Sequence, residues 1–311
     1  MNYSIYKLSF HTGLHLGNGK LSDGGTVIHA DTMFSALCLE TLKTGGSEML
    51  DRLVNLVEED RFRISDSMPY ITDDLYLPKP MIPIKSSNEG DSVEKKAYKK
   101  LKYVPVDRFD SYLEGKLDVQ EANDFFSDKF GEYEVRTMVN LEDEEDAMPY
   151  SVGIFQFGKD AGLYFILGFR DEEDRYFVGE LMESLSYTGV GGKRSSGLGK
   201  FTLKVGKLPQ ILEQGLTQRE EGQNFMALSI CLPEEDRMEE ILRGARYAVV
   251  KRSGFISSTD YADSYRKKRD LIVFSSGSCF SGRFEGVLSD VSDGGRHPVY
   301  SYGKSLLMRI N

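Results

Sequence analysis

Long apolar runs and closely spaced cysteines are both missing from this sequence of 311 residues. No segment approaches the roughly 20 apolar residues that a membrane-spanning helix needs, so no membrane association is expected. The first residues do not place a basic stretch before an apolar core, and the sequence therefore predicts no secretory signal. Cys38, Cys231 and Cys279 lie far apart without a metal-ligand spacing, which predicts no metal site, no cofactor and a reducing, cytoplasmic location.

Positive charge is also scarce, because 39 lysines and arginines face 49 aspartates and glutamates, for a net charge of −10. This balance argues against a protein that coats nucleic acid without specificity. The cations are not evenly spread, however. Two segments, residues 189–204 and 251–270, concentrate them, and these are the places to look for a polyanion-binding site.

The hydrophobic pattern predicts an α+β fold of two ferredoxin-like domains. Strand and helix periods alternate as strand, helix, strand, insertions, strand, helix and strand, which suits a split βαβ domain. We place this domain at residues 1–205 with insertions at about 78–157, then a polar linker at 206–222, and a helix-poorer domain at 223–311. Local expectations follow the same pattern and comprise a helix N-cap at Asp31, irregular chain from 77 to 130 with a basic helix at 94–102, a hairpin within 133–157, a buried strand at 163–167, a helix at 172–187, a strand at 225–232 and a helix at 233–242.

The glycine-rich segment at residues 189–204 is the most informative feature. It contains five glycines, two serines and four cations but no acid. Glycines let the backbone approach a ligand closely, exposed amides bind anions, and lysine and arginine add charge for phosphate. The alternative interpretation is a flexible helix-to-strand connection whose cations are incidental.

The spacing of this segment disfavours the two common nucleotide-binding loops. A Walker A loop needs a glycine at position 187 and a serine or threonine after Lys193, where Tyr187 and Arg194 stand. A dinucleotide fingerprint that starts at Gly189 needs a glycine at 194. The segment also leads from a helix into a strand, the reverse of either context. An RNA backbone remains a suitable ligand.

The second basic region, residues 251–270, has six cations and three acids. It begins with Lys251, Arg252, Ser253, Gly254 and Phe255, and the aromatic residues Phe255, Tyr261 and Tyr265 could stack on unpaired bases. A solvated loop is the alternative, and it is favoured for residues 266–269 taken alone.

Several ordered motifs make the sequence similar to the RAMP superfamily, and more narrowly to the fourth-subunit family of type III-A CRISPR (Csm) effector complexes. They comprise FHTGLHLG at 10–17, ADTMFSAL at 30–37, LPKP at 77–80, YTGVGGKRSSGLGKF at 187–201, KRSGF at 251–255, GS at 277–278 and HPVYSYG at 297–303.

The resemblance implies two ferredoxin-like, RNA-recognition-type domains and a non-catalytic role. Members of this family hold the repeat-derived 5′ handle of the CRISPR RNA (crRNA) and dock a large polymerase/cyclase-like subunit and a backbone RAMP subunit. A thumb-like hairpin, placed within 133–157, is expected to contact the guide through Arg136. The other expected RNA-binding residues are His15, Gly17, Gly191, Gly192, Lys193, Arg194, Ser195, Ser196, Gly197, Lys200, Lys251, Arg252, Ser253, Gly254 and Phe255.

Two further functions remain open at the level of sequence. A RAMP endoribonuclease that processes the precursor transcript would use His15 or His29 as general base, although neither pairs with a carboxylate by spacing. A protein-only scaffold would make the cations of the glycine-rich segment dispensable for guide retention.

Overall fold

The computed structural model describes residues 1–84, 92–139, 148–218 and 224–310. The elements up to residue 129 are β1 (Asn2–Phe10), β2 (Gly17–Asn18), β3 (Lys20–Gly24), α1 (Ala30–Thr44), α2 (Gly46–Glu58), β4 (Phe62–Ile64), β5 (Met68–Ile71), β6 (Asp74–Pro78), α3 (Ser92–Lys100), β7 (Tyr103–Pro105), α4 (Phe109–Leu113) and α5 (Val119–Lys129). The elements that follow are β8 (Gly131–Val139), β9 (Pro149–Phe157), β10 (Ala161–Phe169), α6 (Glu172–Thr188), β11 (Phe201–Lys207), α7 (Gln210–Thr217), β12 (Asn224–Ala227), α8 (Met238–Leu242), β13 (Val249–Arg252), β14 (Leu271–Phe274), β15 (Cys279–Phe280), β16 (Gly286–Asp290), β17 (Tyr300–Lys304) and β18 (Leu307–Ile310). The protein is thus a mixture of helices and strands, as the α+β prediction requires.

The main sheet runs in the order β11-β1-β10-β5-β6-β7, and β4 pairs with β10 beside β5. The pairs β1–β10, β1–β11 and β10–β4 are all antiparallel. The chain leaves β1 through α1 and α2 to reach β4, and it leaves β10 through α6 to reach β11. The register pairs Phe10 with Phe201, so the segment after β1 and the segment before β11 emerge at the same end of the sheet.

The predicted buried strand at 163–167 is confirmed as β10, in which every residue is buried. Both of its faces are covered. Leu163, Phe165 and Leu167 pack in the core that includes α1 and α6, whereas Tyr164 and Ile166 pack in a second core on the opposite face. A strand buried on both sides needs a continuous apolar run, which is the pattern that the sequence shows.

The prediction of irregular chain from 77 to 130 is wrong. The basic helix is confirmed as α3, but β6, β7, α4 and α5 also lie in this region. These elements cover the second face of the sheet, where Leu101, Phe109 and Tyr112 pack with Tyr164. Each element is short and carries few apolar residues, so local periodicity is weak and tertiary packing determines the structure.

The predicted linker at 206–222 is also wrong in its described part. Strand β11 continues to Lys207, and α7 follows with Leu212 and Leu216 buried beside Ile166. Leu208, Leu212 and Leu216 recur every four residues, a helical spacing that the polar composition of the segment obscured. Residues 219–222 lie outside the described residues.

Residues 224–310 form a three-stranded sheet, β15-β12-β18, with the two-stranded ribbons β13–β14 and β16–β17. The strand predicted at 225–232 is shorter, and the helix predicted at 233–242 is a 3₁₀ turn at Glu235–Arg237 followed by α8. This part packs on the main sheet, where the Ile64 amide donates to the Tyr302 hydroxyl at 3.0 Å and Tyr302 joins the first core.

The N-cap prediction at Asp31 is wrong, because His29 occupies the N-cap of α1 and Asp31 lies in the first turn. Among the residues that the structure describes, no helix is long and apolar enough to cross a membrane, and no group of three His, Cys, Asp or Glu side chains could hold a metal ion.

Candidate nucleic-acid interface

The glycine-rich loop, residues 189–200, has a defined backbone path between α6 and β11. Gly189, Gly191, Gly197 and Gly199 have positive φ angles, and Lys193 has a left-handed conformation at φ 57°. The Val190 amide donates to the Gly199 carbonyl at 3.0 Å, which closes the loop at its base. The backbone can take this path because four glycines stand where a side chain would be strained.

The segment that follows β1 holds this loop through backbone hydrogen bonds. The Gly192 amide donates to the His15 carbonyl at 2.8 Å, and the Gly199 amide donates to the Gly13 carbonyl at 3.0 Å. A Cβ atom at Gly191 would lie 2.5 Å from the His15 carbonyl oxygen, so only glycine allows this approach. The flexible connection considered from the sequence therefore does not describe the loop.

His15 is buried between the loop and the hairpin formed by β8 and β9. Its Nδ1 lies 2.7 Å from the Gly153 carbonyl oxygen, and its ring contacts Gly192 closely enough that a Cβ there would lie 2.7 Å from Cδ2. Gly17, which the sequence predicts to bind RNA, is exposed, and a Cβ atom at this residue would lie 3.8 Å from the His15 Nε2. His15 thus stabilises the site from inside.

The hairpin predicted within 133–157 is confirmed as β8 and β9, which pair from Gly131↔Phe157 to Val139↔Pro149. The acidic residues 142–146 of this segment lie outside the described residues. Arg136 is half exposed, opposite Val152, and its Nε forms an ion pair with Glu134 Oε1 at 2.5 Å. Directly opposed residues share a face of a β-ribbon, so Arg136 lies on the face that carries Val152 and Ile154.

Lys193 and Leu198 attach the glycine-rich loop to this hairpin. The Lys193 ammonium donates to the Tyr150 hydroxyl at 3.1 Å and lies 4.4 Å from the centre of that ring. Leu198 is buried against Val152 and Ile154. Sequence reasoning missed both contacts, although Tyr150, Val152 and Ile154 alternate with a period of two and so marked one face of β9.

The loop consequently exposes one polar surface, which we call the crest: Arg194, Ser195, Ser196 and Lys200. Residues 194–196 form a 3₁₀ turn between Lys193 and Gly197, which is itself left-handed. Ser195, Ser196 and Lys200 are exposed, and Arg194 is half exposed. The first amides of a helical turn have no acceptor within it, so the crest offers amides, hydroxyls and cations together.

Among the described residues, no hydrogen bond or ion pair joins residues 251–255 to the crest. Arg252 points inward, where its guanidinium donates to both carboxylate oxygens of Asp31, at 2.9 and 2.7 Å, and to the Thr32 hydroxyl at 2.9 Å. Burial alone would raise the pKa of Asp31, but Arg252 and Lys268 hold that pKa below its usual range. Arg252 therefore has a structural role, whereas Lys251, Ser253 and Phe255 are exposed. The RNA contacts predicted for these residues stay predictions.

His29 pairs with Asp66, a contact that the spacing did not reveal. The His29 Nδ1 lies 2.7 Å from Asp66 Oδ2, and the other carboxylate oxygen accepts hydrogen bonds from the amides of Ala30 and Ile230 at 2.9 and 3.0 Å. Asp66 is buried and joins three separate segments. These hydrogen bonds explain the buried position of Asp66 without a catalytic role.

Comparison with known proteins gives the family. A family model of the RAMP superfamily matches residues 7–202, and a model of the CRISPR Csm4 C-terminal domain matches residues 220–310. A Mycobacterium tuberculosis protein named CRISPR system Cms protein Csm4 is 36% identical over 311 residues, covering 100% of this chain and 98% of that protein. The chain belongs to the Csm4 family of the RAMP superfamily. The resemblance drawn from the sequence motifs is thereby confirmed.

Other similar proteins agree with membership of the Csm4 family. A Streptococcus thermophilus protein of the same name is 34% identical over 318 residues, covering 100% of this chain and 99% of that protein. The fold is similar to that of a chain in a crystal structure of a Csm3–Csm4 subcomplex of the type III-A CRISPR-Cas interference complex, with a TM-score of 0.70, 18% identity and full coverage of both chains. A Csm1–Csm4 cassette in complex with pppApA gives a TM-score of 0.60 at 18% identity, covering 100% of this chain and 98% of the other.

Proposed function

We propose that this Csm4 family member is a non-catalytic, RNA-binding subunit of a type III-A CRISPR complex and holds the repeat-derived 5′ handle of the guide RNA. The observation that carries the proposal is the crest. Its loop is held by backbone bonds to residues 13 and 15 and by the Lys193–Tyr150 contact, so Arg194, Ser195, Ser196 and Lys200 are presented in a fixed arrangement.

A net charge of −10 is compatible with RNA binding when the acids lie elsewhere. Phosphate contacts from cations, hydroxyls and amides position an RNA chain without reading its sequence. The crest offers all three donor types, while residues 189–204 contain no acid. Gly191, Gly192 and Gly197 would let the RNA backbone approach, whereas Lys193 and His15 would act by holding the loop in place.

We infer further that the chain has two domains, 1–205 and 223–311, and that the first is ferredoxin-like. The strand order β11-β1-β10-β4, with helical crossovers after β1 and β10, supports this architecture. The second domain repeats part of it. Strand β12 lies between β15 and β18, and α8 follows β12, but the ribbon β16–β17 stands where a second helix would be expected.

The partners that we propose follow from the relatives. Similar solved structures contain Csm4 together with Csm3 in one case and with Csm1 in the other. We propose the same two contacts for this chain, with a backbone RAMP subunit and with the large polymerase/cyclase-like subunit.

The crest can be tested by guide retention in the assembled complex. The double variant Arg194→Ala/Lys200→Ala removes two exposed cations and leaves the backbone of the loop unchanged. We expect the complex to retain less guide RNA, because each phosphate contact that is lost weakens binding and reduces its salt dependence. The readout is the amount of RNA that copurifies per complex, together with the salt dependence of binding by the full chain.

The matched control is Lys116→Ala/Lys129→Ala, which removes two exposed, ion-paired lysines of α4–α5. Normal guide occupancy in the crest variant, with the complex intact, would favour the protein-only scaffold and would contradict the proposal.

Endoribonuclease activity is the second candidate, and the His29–Asp66 pair is the observation that favours it. A histidine oriented by a carboxylate is a common general base. Incubation of the full chain with repeat RNA decides between the two functions. Specific cleavage by the wild type that is lost in His29→Ala or His15→Ala would overturn the non-catalytic role, and intact RNA with the wild type supports it.

A further inference from the structure

Residues 249–256 and 266–274 form one β-ribbon, with a one-residue shift in register between its two paired parts. Strands β13 and β14 pair from Val249↔Phe274 to Arg252↔Leu271. A bridge between Phe255 and Lys267 extends the pairing, and the amides of Ile256 and Lys268 donate to the carbonyls of Arg266 and Gly254 at 2.9 and 3.0 Å. The ribbon therefore includes most of the second basic region.

The two faces of this ribbon differ in chemistry. Along residues 251–256, Arg252 and Ile256 point inward, whereas Lys251, Ser253 and Phe255 are exposed. The cations of the inward face share a carboxylate partner, because Asp31 accepts from Arg252 and lies 3.7 Å from the Lys268 ammonium. Alternation along a strand thus divides the motif at 251–255 between an internal ion cluster and an outward face.

Two aromatic rings stand on the outward face. Phe255 is 62% exposed and Tyr265 is 90% exposed, and their ring centres are 6.5 Å apart and nearly perpendicular. The Lys267 ammonium lies 5.3 Å from the centre of the Phe255 ring. Tyr261, by contrast, is buried, and its hydroxyl accepts from the Asp293 and Gly295 amides, so it cannot stack on a ligand.

Charge favours RNA over protein as the occupant of this face. Exposed aromatic rings beside cations are the recognised means of holding single-stranded nucleic acid, since every base presents a stacking face. Lys251 pairs with Asp270 at 2.6 Å, while Arg266 and Lys267 form no ion pair with any described residue. In a chain with a net charge of −10, a surface that keeps unpaired cations beside open rings suits a polyanion.

We propose that the outward face of this ribbon is a base-stacking site, separate from the crest, on which an unpaired nucleobase of bound RNA packs against Tyr265 and Phe255 while Lys267 meets the adjoining phosphate. This site rests on the proposed RNA-binding function and adds to it a second contact of a different kind. The crest holds phosphates, whereas the ribbon holds a base.

The test uses the full chain and fluorescein-labelled guide RNA, with a parallel set of guides in which one nucleotide at a time is abasic. Tyr265→Ala and Phe255→Ala should each weaken binding by about tenfold, in line with the loss of one stacked base. Phe255→Tyr should bind as wild type because it keeps a ring. Tyr176→Ala is the matched control, since Tyr176 is 64% exposed and lies on α6 rather than on the ribbon.

The abasic series separates stacking from other contacts. One abasic position should weaken binding to the wild type by a similar factor and leave the affinity of Tyr265→Ala unchanged. Lys267→Gln should reduce the slope of log K against log salt, and Tyr265→Ala should not, because it removes no charge.

Wild-type affinity in both alanine variants would overturn the stacking site while leaving the crest intact. The stacking site would also be overturned if both alanine variants still bound RNA but no longer assembled with the other subunits, because this face would then be a protein interface. If the wild type itself binds no guide, both proposals fail. If Arg194→Ala/Lys200→Ala binds as well as wild type while Tyr265→Ala is weakened, only the proposal for the crest fails.

Discussion

Two buried carboxylates, those of Asp31 and Asp66, each join segments that are distant in sequence. Asp31 joins the start of α1 to β13 through Arg252, and Asp66 joins His29 and Ala30 to Ile230. A buried carboxylate is stable only when its oxygens are matched by donors. Asp31 and Asp66 therefore have a structural role that the surface cations of the same chain do not have.

The Asp31 pair predicts a pH-dependent contribution to stability. Because the pKa of Asp31 is below its usual value in the folded state, the contribution is present above the unfolded pKa of about 3.9 and is lost as the pH falls through the folded value. We expect Asp31→Asn to lower the free energy of unfolding at pH 7 by about 3 kcal/mol. The difference from wild type should shrink below pH 4.

Chemical denaturation of both proteins at pH 7 and pH 3.5 measures this difference. Asp51→Asn, at an exposed position of α2, is the control and should have little effect at either pH. An Asp31→Asn penalty that stays constant over this range would contradict the assigned ion pair.

Glycines of the loop provide a second prediction at the scale of single residues. Gly199 has φ +76°, and a Cβ there would lie 2.0 Å from the Val190 carbonyl oxygen. Gly197 has φ +85°, with nothing within 4 Å of the Cβ position. Gly197→Ala should therefore lower the free energy of unfolding only by the cost of the positive φ, about 1 kcal/mol. Gly199→Ala must also move the backbone. Thermal unfolding should rank Gly199→Ala clearly below Gly197→Ala, and equal melting temperatures would contradict the loop geometry.

At the scale of elements, the hairpin and the glycine-rich loop behave as one unit because Leu198 packs on Val152 and Ile154. We expect Leu198→Ala to leave a cavity that costs about 3 kcal/mol and to free the hairpin from the loop. Limited proteolysis should then cut β8 or β9 faster than in wild type. Leu42→Ala, at a residue of α1 that is 44% exposed, is the control. Unchanged cleavage of the hairpin would show that the loop does not hold it.

Some helices and strands could be predicted from the sequence and others could not. Strands β1, β10 and β11, helix α6 and the hairpin follow from period and turn signals, and β10 and α6 each bury many apolar residues. α7 and the helices α4 and α5 were missed, since they become stable only against the second face of the sheet. The crest could be predicted from glycines and cations, whereas the inward turn of Arg252 depends on Asp31, a partner 221 residues away.

At the scale of the whole molecule, a net charge of −10 opposes RNA binding everywhere except where cations are exposed together. Three such cations are proposed to meet phosphate, Arg194 and Lys200 on the crest and Lys267 on the ribbon. If each meets one phosphate of a single strand, the slope of log K against log salt should be about −2, so affinity should fall roughly twentyfold between 50 and 200 mM salt. Fluorescence anisotropy with the full chain and its guide RNA measures this slope. Arg194→Ala/Lys200→Ala should reduce it by about two-thirds, because one of three contacts remains. A slope near zero in the wild type would mean that phosphate contacts do not hold the RNA, and both surfaces would then need another ligand.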